Sequence, residues 1–214
     1  MGSAIYFGYV LIQAVLWSQV LRMRFDRPAP RLLLLLVIAC LMYDNGVSAL
    51  GVLLGEGQVL KALNILRFVL HVFVTPLVCV LCLQIARDAR VPAALHRQAV
   101  WVVWALTIAL VAVGFMQDLA PMDFVPKTVF GVLTYTHTTA VIPIAAIVMN
   151  LFTIATAVLI WRTTGWPFLF ITSVLMLLIA AIPHAYFGMI PGNAGEIIFI
   201  YGFVLALGKK WAQA

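Results

Sequence analysis

The sequence predicts an all-α polytopic integral membrane protein: a bundle of seven transmembrane helices, N-terminus outside and C-terminus in the cytoplasm. Three observations predict it. Of 214 residues, 65% are hydrophobic and 9% charged, and the mean hydropathy is +1.13, far outside the range of soluble domains. Apolar windows of about 20 residues recur, the length that crosses ~30 Å of hydrocarbon at 1.5 Å per residue. Basic residues gather on alternate connections, as they do where loops remain in the cytoplasm. Lipid offers the backbone no hydrogen-bond partners, so such windows must be helices.

The spans fall at 4–22, 31–54, 59–86, 98–117, 139–161, 166–190 and 195–212, within a single transmembrane domain covering 1–214. Turn residues punctuate them: Pro28-Ala29-Pro30 before the second, Gly55-Glu56-Gly57 after it, Pro121 to Asp123 after the fourth, and Pro191-Gly192-Asn193 before the seventh. The first 20 residues lack a basic n-region and a small-residue cleavage site, so they read as a span and not as a cleaved signal. Segment 118–138 reads as an extracellular cap. Within it, the Val, Thr and Tyr around Gly131 suit a short strand, hairpin or re-entrant piece over 129–139.

Orientation follows from charge. Arg22, Arg24, Arg27 and Arg31, then Arg87, Arg90 and Arg97, then Arg162, and finally Lys209 and Lys210 mark one side. The other side carries Lys61 and Lys127 against Glu56, Asp118, Asp123 and Glu196. The positive side is the cytoplasmic one, with Trp161, Trp166 and Trp211 as its aromatic belt. The net charge of +6 is therefore a topology signal and implies no nucleic-acid partner. A bacterial inner membrane is the expected location, and the bilayer itself the first partner.

Within this apolar sequence, Asp44, Arg67 and His71 stand out. A charge at the bilayer centre costs at least ~2.5 kcal/mol even on the lenient insertion scale, and such groups pair or line cavities. Asp44 lies ten residues before the end of the second span, about 15 Å deep, and Arg67 eight residues into the third, about 12 Å deep. A short glycine turn makes these helices antiparallel neighbours, so an Asp44–Arg67 salt bridge is expected. Lys61, Asn64, Arg67, His71 and Thr75 share one helical face, and Cys40, Asp44, Ser48 and Gly51 form a milder facing stripe. Pro76 is expected to kink the third span below His71.

The candidate catalytic residues are Asp44, His71 and Arg67. The candidate substrate-binding residues are Tyr43, Asn45, Asn64, His184, Tyr201 and Glu196. Asp44, His71, His137 and His184 have suitable ligand chemistry for zinc or iron. They come from separate elements without an H-x-x-x-H pair, so no metal is assigned and the cofactor is unknown. Cys79 and Cys82 form a CxxC too deep in an apolar helix for redox exchange. Lysines appear in the last span only at its end, which excludes a retinal Schiff base.

Three functions fit. One is a membrane-embedded enzyme acting on a lipid or other hydrophobic, isoprenoid-like small molecule in an outward-facing polar pocket. A second is a small-solute or proton-coupled transporter. The third is a sensory or binding protein in which Asp44–Arg67 is a structural ion pair. The sequence leaves open whether the protein is an enzyme.

Overall fold

The computed structural model describes residues 1–23, 28–139 and 142–211, with the backbone alone at His184 and Ala185. It is mostly helical, at 79%. Helix α1 spans Gly2–Arg22, α2 Pro28–Leu54 and α3 Gln58–Val74. A 3-10 turn, Thr75–Leu77, passes into α4, Val78–Asp88. The short α5, Pro92–Leu95, precedes α6, Arg97–Gly114, which closes in a π-turn over Phe115–Leu119. Strands β1, Phe124–Val129, and β2, Val132–His137, come next. The chain ends with α7, Ile144–Thr164, α8, Phe168–Ala180, α9, His184–Phe187, and α10, Ile190–Gly208.

Six of these stretches are long and apolar enough to cross a membrane, taking α3 through α4 as one and α6 with its π-turn as another. Their flanks carry Leu11, Val15, Trp101, Ile108 and Leu151 in the open, each at least half exposed. That much exposed apolar surface is the signature of an integral membrane protein.

The expected sixth span, 166–190, takes a different form. Helix α8 is 13 residues long, about 20 Å of rise, short of the ~30 Å a bilayer core requires. Pro183 explains the stop: it lacks an N–H and disfavours the helical region at Ile182, so the chain leaves the helix after Ala180. It then makes the single turn α9, and Gly188, at φ +60°, leads it into α10. Helix α10 starts with Pro191 in its first turn, where a missing N–H is harmless, and so begins five residues earlier than the sequence suggests. Helix α7 starts at Ile144, after Pro143; residues 140 and 141, at the start of the expected fifth span, lie outside the described residues, as do Arg24, Arg27 and the last residue of the expected seventh. Pro76 acts as expected, sitting within the 3-10 turn between α3 and α4.

The strand-forming composition is real but placed earlier and paired. Strands β1 and β2 run antiparallel from Phe124↔His137 to Val129↔Val132. Their two-residue loop, Phe130-Gly131, has φ of 51° and 71°, the two left-handed positions of a type I′ hairpin turn. Phe130 occupies a region that suits glycine or asparagine, and its ring packs against Phe187 at 5.7 Å. The hairpin lies across the end of the bundle where α1 begins, opposite the end that carries Arg22, Arg31, Arg87 and Arg162.

Glycines set the closest approaches. A Cβ on Gly51 of α2 would collide with the Leu133 carbonyl of β2, and one on Gly2 with Phe130. The Gly57 N–H donates to Tyr135 Oη at 3.1 Å, and Val47, Leu60, Phe124, Leu133 and Tyr135 form a separate buried cluster beneath the hairpin. On the far side, α8 and α10 meet where Thr172 packs on Gly202, the small-residue contact typical of helices packed in lipid. The main core, including Leu34, Ile38, Cys79, Leu81, Ile85 and Phe203, fills the arginine end.

Gly51→Ala is expected to lift β2 from α2 and to cost on the order of 1–3 kcal/mol, the usual cost of overpacking. Thermal unfolding in detergent, with proteolysis of the 118–138 segment as the local readout, checks this; unchanged unfolding and protection would show that Gly51 does not seat the hairpin.

Candidate functional site

Helices α2 and α3 are joined by Gly55-Glu56-Gly57, and Gly55 turns the chain at φ +69°. This antiparallel hairpin brings the two opposite charges together. Arg67 Nε lies 3.2 Å from Asp44 Oδ1, and Arg67 Nη1 donates to Ser48 Oγ at 3.2 Å, one turn along α2. The guanidinium also lies 5.1 Å from the centre of the Phe68 ring. Arg67 and Asp44 keep 12% and 18% of their side-chain surface exposed, so the pair is desolvated but not sealed.

Of the neighbouring polar residues, one ties the two helices together and the others bond elsewhere. Tyr43 Oη donates to the Leu63 carbonyl at 3.1 Å, tying α2 to α3. Asn64 is fully buried and donates to its own helix, at Leu60 O, 2.8 Å away, which leaves Oδ1 without a partner. Asn45 follows Asp44 in sequence, but one residue turns a helix by about 100°, so it faces elsewhere. It donates to Gln13 Oε1 at 3.1 Å and to Leu41 O at 3.0 Å, and accepts from Asn193 Nδ2 at 2.9 Å. Gln13, Asn45 and Asn193 thus link α1, α2 and α10 in a buried network. Tyr201 is 46% exposed on α10 and stands away from the ion pair's network. His184 belongs to α9, and its side chain lies outside the described residues.

His71 lies one turn deeper than Arg67, just before the 3-10 turn, and lines two adjoining cavities. The first, about 20 Å³, is walled by His71, Thr75, Gln117 and Asp118 with apolar neighbours. The second, about 40 Å³, is walled by Cys40, His71, Thr75 and Glu196, again with apolar neighbours. Ala146 and Met149 of α7 border both. Glu196 Oε2 is buried and has no hydrogen-bond partner. Asp44 and Arg67 line neither cavity, yet both act electrostatically on His71 and Glu196. Asp118 enters the site through the π-turn that ends α6. A carboxylate directly after an apolar span was the available clue.

The hairpin closes near this site through a clasp. His137 Nδ1 and Thr138 Oγ1 each lie 2.5 Å from an Asp123 oxygen. The His137 ring packs on Phe124 at 4.7 Å and on Phe68 at 5.3 Å, next to Arg67. These bonds hold the Asp123 carboxyl at about 2, below its ordinary 3.8, the His137 contact first and Thr138 second. Cys40, Cys79 and Cys82 are all buried thiols, and Cys82 Sγ meets Thr153 Oγ1 at 3.5 Å. Among the described residues, no three His, Cys, Asp or Glu side chains gather as a metal site would require.

Compared with protein-family models, with curated proteins and with solved structures, the chain finds no match.

Asp44→Ala or Arg67→Met is expected to destabilise the protein by about 1–3 kcal/mol, the cost of stranding a partly buried polar partner. This is less than the 3–5 kcal/mol typical of a sealed pair, because both side chains keep some exposure. The swap Asp44→Arg with Arg67→Asp should recover part of the loss in the same unfolding assay. Additive losses in the double variant would exclude direct coupling. For the clasp, a carboxyl held below its ordinary value adds stability above that value and loses it as pH falls through the lowered one. Its contribution is therefore full at neutral pH and fades from 3.8 to about 2. Amide exchange in β2, corrected for intrinsic rates, should rise across that window in the wild type. In Asp123→Asn it should already be raised at neutral pH.

Proposed function

We propose that this protein is a membrane-embedded enzyme acting on a lipid or isoprenoid-like substrate, with Asp44, Arg67 and His71 as its working groups. In this reading the bundle crosses the membrane seven times, α8 and α9 together completing the sixth crossing. The hairpin end faces outward, and the arginine end faces the cytoplasm of a bacterial cell. Asp44 serves as base or electrostatic stabiliser. Arg67 balances its charge and meets an anionic headgroup, and His71 is the second proton-transfer group.

One observation carries the reading: ionisable groups from α3, the π-turn and α10 converge on cavities meeting at His71, above a sealed floor. Leu34, Ile38, Leu81, Ile85 and Phe203 below are each 0% exposed. Proton-transfer groups in a mostly apolar hollow closed on one side suit chemistry on a molecule entering from the other side or from lipid. A conduit needs access to both ends in turn. The candidate binding residues divide under this reading. Glu196 borders the hollow, Tyr43 ties α2 to α3 beside the ion pair, Asn64 bonds within α3, and Asn45 secures the α1–α2–α10 contact.

A second reading, a proton-coupled carrier, draws on the cavity sizes. Volumes of about 20 and 40 Å³ admit water and not an acyl chain, so the enzyme reading requires the hairpin or α7 to give way on binding.

The test uses purified protein in liposomes of bacterial lipid extract that includes isoprenoid lipids. Mass spectrometry should show one lipid class consumed, and Asp44→Asn or His71→Ala should slow its turnover by at least about 10²-fold, the usual weight of a general acid or base. Identical lipid profiles for wild type and variants, together with solute-driven acidification inside dye-loaded liposomes, would replace the enzyme by the carrier.

A further inference from the structure

We propose that Asp118, His71 and Glu196 form a proton wire that runs through the two water-sized cavities, with His71 as the junction. The wire feeds the proton-transfer site proposed above and rests on that reading for its purpose, though not for its existence.

The geometry supports each link. Asp118 is half-buried at the end of α6, so it can exchange protons with the outside of the bundle. The first cavity offers four polar neighbours, His71, Thr75, Gln117 and Asp118; the second offers Cys40, His71, Thr75 and Glu196. Buried water needs two to four such partners and about 10–15 Å³ of room, and volumes of about 20 and 40 Å³ supply it. Glu196 Oε2 provides an independent sign. A buried carboxyl oxygen without a partner is costly, and water in the adjoining cavity removes that cost. His71 and Thr75 are the polar residues that border both cavities, so this turn of α3 offers a proton its relay between them.

The path runs in balanced steps. Water at the outer mouth gives a proton to the Asp118 carboxylate. Asp118 passes it through water in the first cavity to one ring nitrogen of His71. The other ring nitrogen releases its proton to water in the second cavity, which delivers it to the Glu196 carboxylate. One proton enters and one arrives; no electron moves. The surrounding charges are few. Asp44 and Arg67 act on both His71 and Glu196, and His137 acts on Asp118. Cys40 of α2 borders the second cavity, and Tyr6 of α1 lies within electrostatic range of Glu196. The walls from α4, α7 and α8, namely Val78, Ala146, Met149 and Met176, carry no ionisable group.

The experiment is time-resolved infrared spectroscopy of the full chain in liposomes after a jump in external pH. A buried protonated-carboxyl component should follow the jump in the wild type and be missing in Glu196→Gln, whose remaining carboxyls supply the baseline. Asp118→Asn should keep the band and slow its response about tenfold or more. Ala146→Leu fills the space beside His71 without removing an ionisable group, and it should slow the response in the same way. A band unchanged in Glu196→Gln overturns the proposal, and so does a response equally fast in Asp118→Asn. Asp118 sits at a half-buried position, so that variant remains informative should Ala146→Leu fail to fold. A band that behaves as expected without any lipid turnover would leave the wire standing and remove only the enzyme.

Discussion

The contact between α2 and α3 at Asp44 and Arg67 determines where the other polar groups of the site sit. Two opposite charges in apolar surroundings are tolerable only together, so their meeting fixes the register of the two helices. Ser48 takes a further guanidinium N–H, and Tyr43 ties the next turn to the α3 backbone. With that register set, the continuing face of α3 brings His71 one turn deeper, directly before Pro76 breaks the regular helix. The cavities lie at this irregular point. A straight α3 packed like the floor below would leave them no room.

Polar groups elsewhere follow the same economy. The Gln13–Asn45–Asn193 network joins α1, α2 and α10 by amide hydrogen bonds where lipid offers none. Threonines at 107, 153, 156 and 172 return their hydroxyls to carbonyls of their own helices. Against that background Glu196 Oε2 and the Asn150 amide, with Asn64 Oδ1 and Gln13 Nε2, are among the buried groups left without a partner. Glu196 borders a cavity, which gives its orphaned oxygen a physical account; the contacts described for Asn150 supply none.

The hairpin connects the site to the outside of the bundle. It rests on Gly51 and Gly2, hangs on Gly57 through Tyr135, and ends in the Asp123–His137–Thr138 clasp against Phe68. Phe68 is thus shared: its ring packs on Phe124 and His137 of the hairpin and also lies 5.1 Å from the Arg67 guanidinium. Movement of the hairpin and the environment of the ion pair are mechanically linked through this ring.

Hydrophobic windows and turn residues alone determined that the chain builds long apolar helices, because that signal is local and repeated. The Asp44–Arg67 meeting was legible for the same reason: a tight glycine turn between two helices leaves little freedom in their relative depth. The strand-like composition near Gly131 was legible too, though not its partner, since β1 contains Pro126 and Lys127 and lacks alternating hydrophobicity. Only the tertiary structure decided the rest. Asn45 and Asp44 are adjacent in sequence and face different neighbours. Asp118 joins His71 although 46 residues separate them in the numbering. Glu196 of α10 borders a cavity with His71 of α3. Which polar groups converge depends on how helices distant in sequence rotate and lean against one another, and packing sets that rotation, not any local pattern of residues.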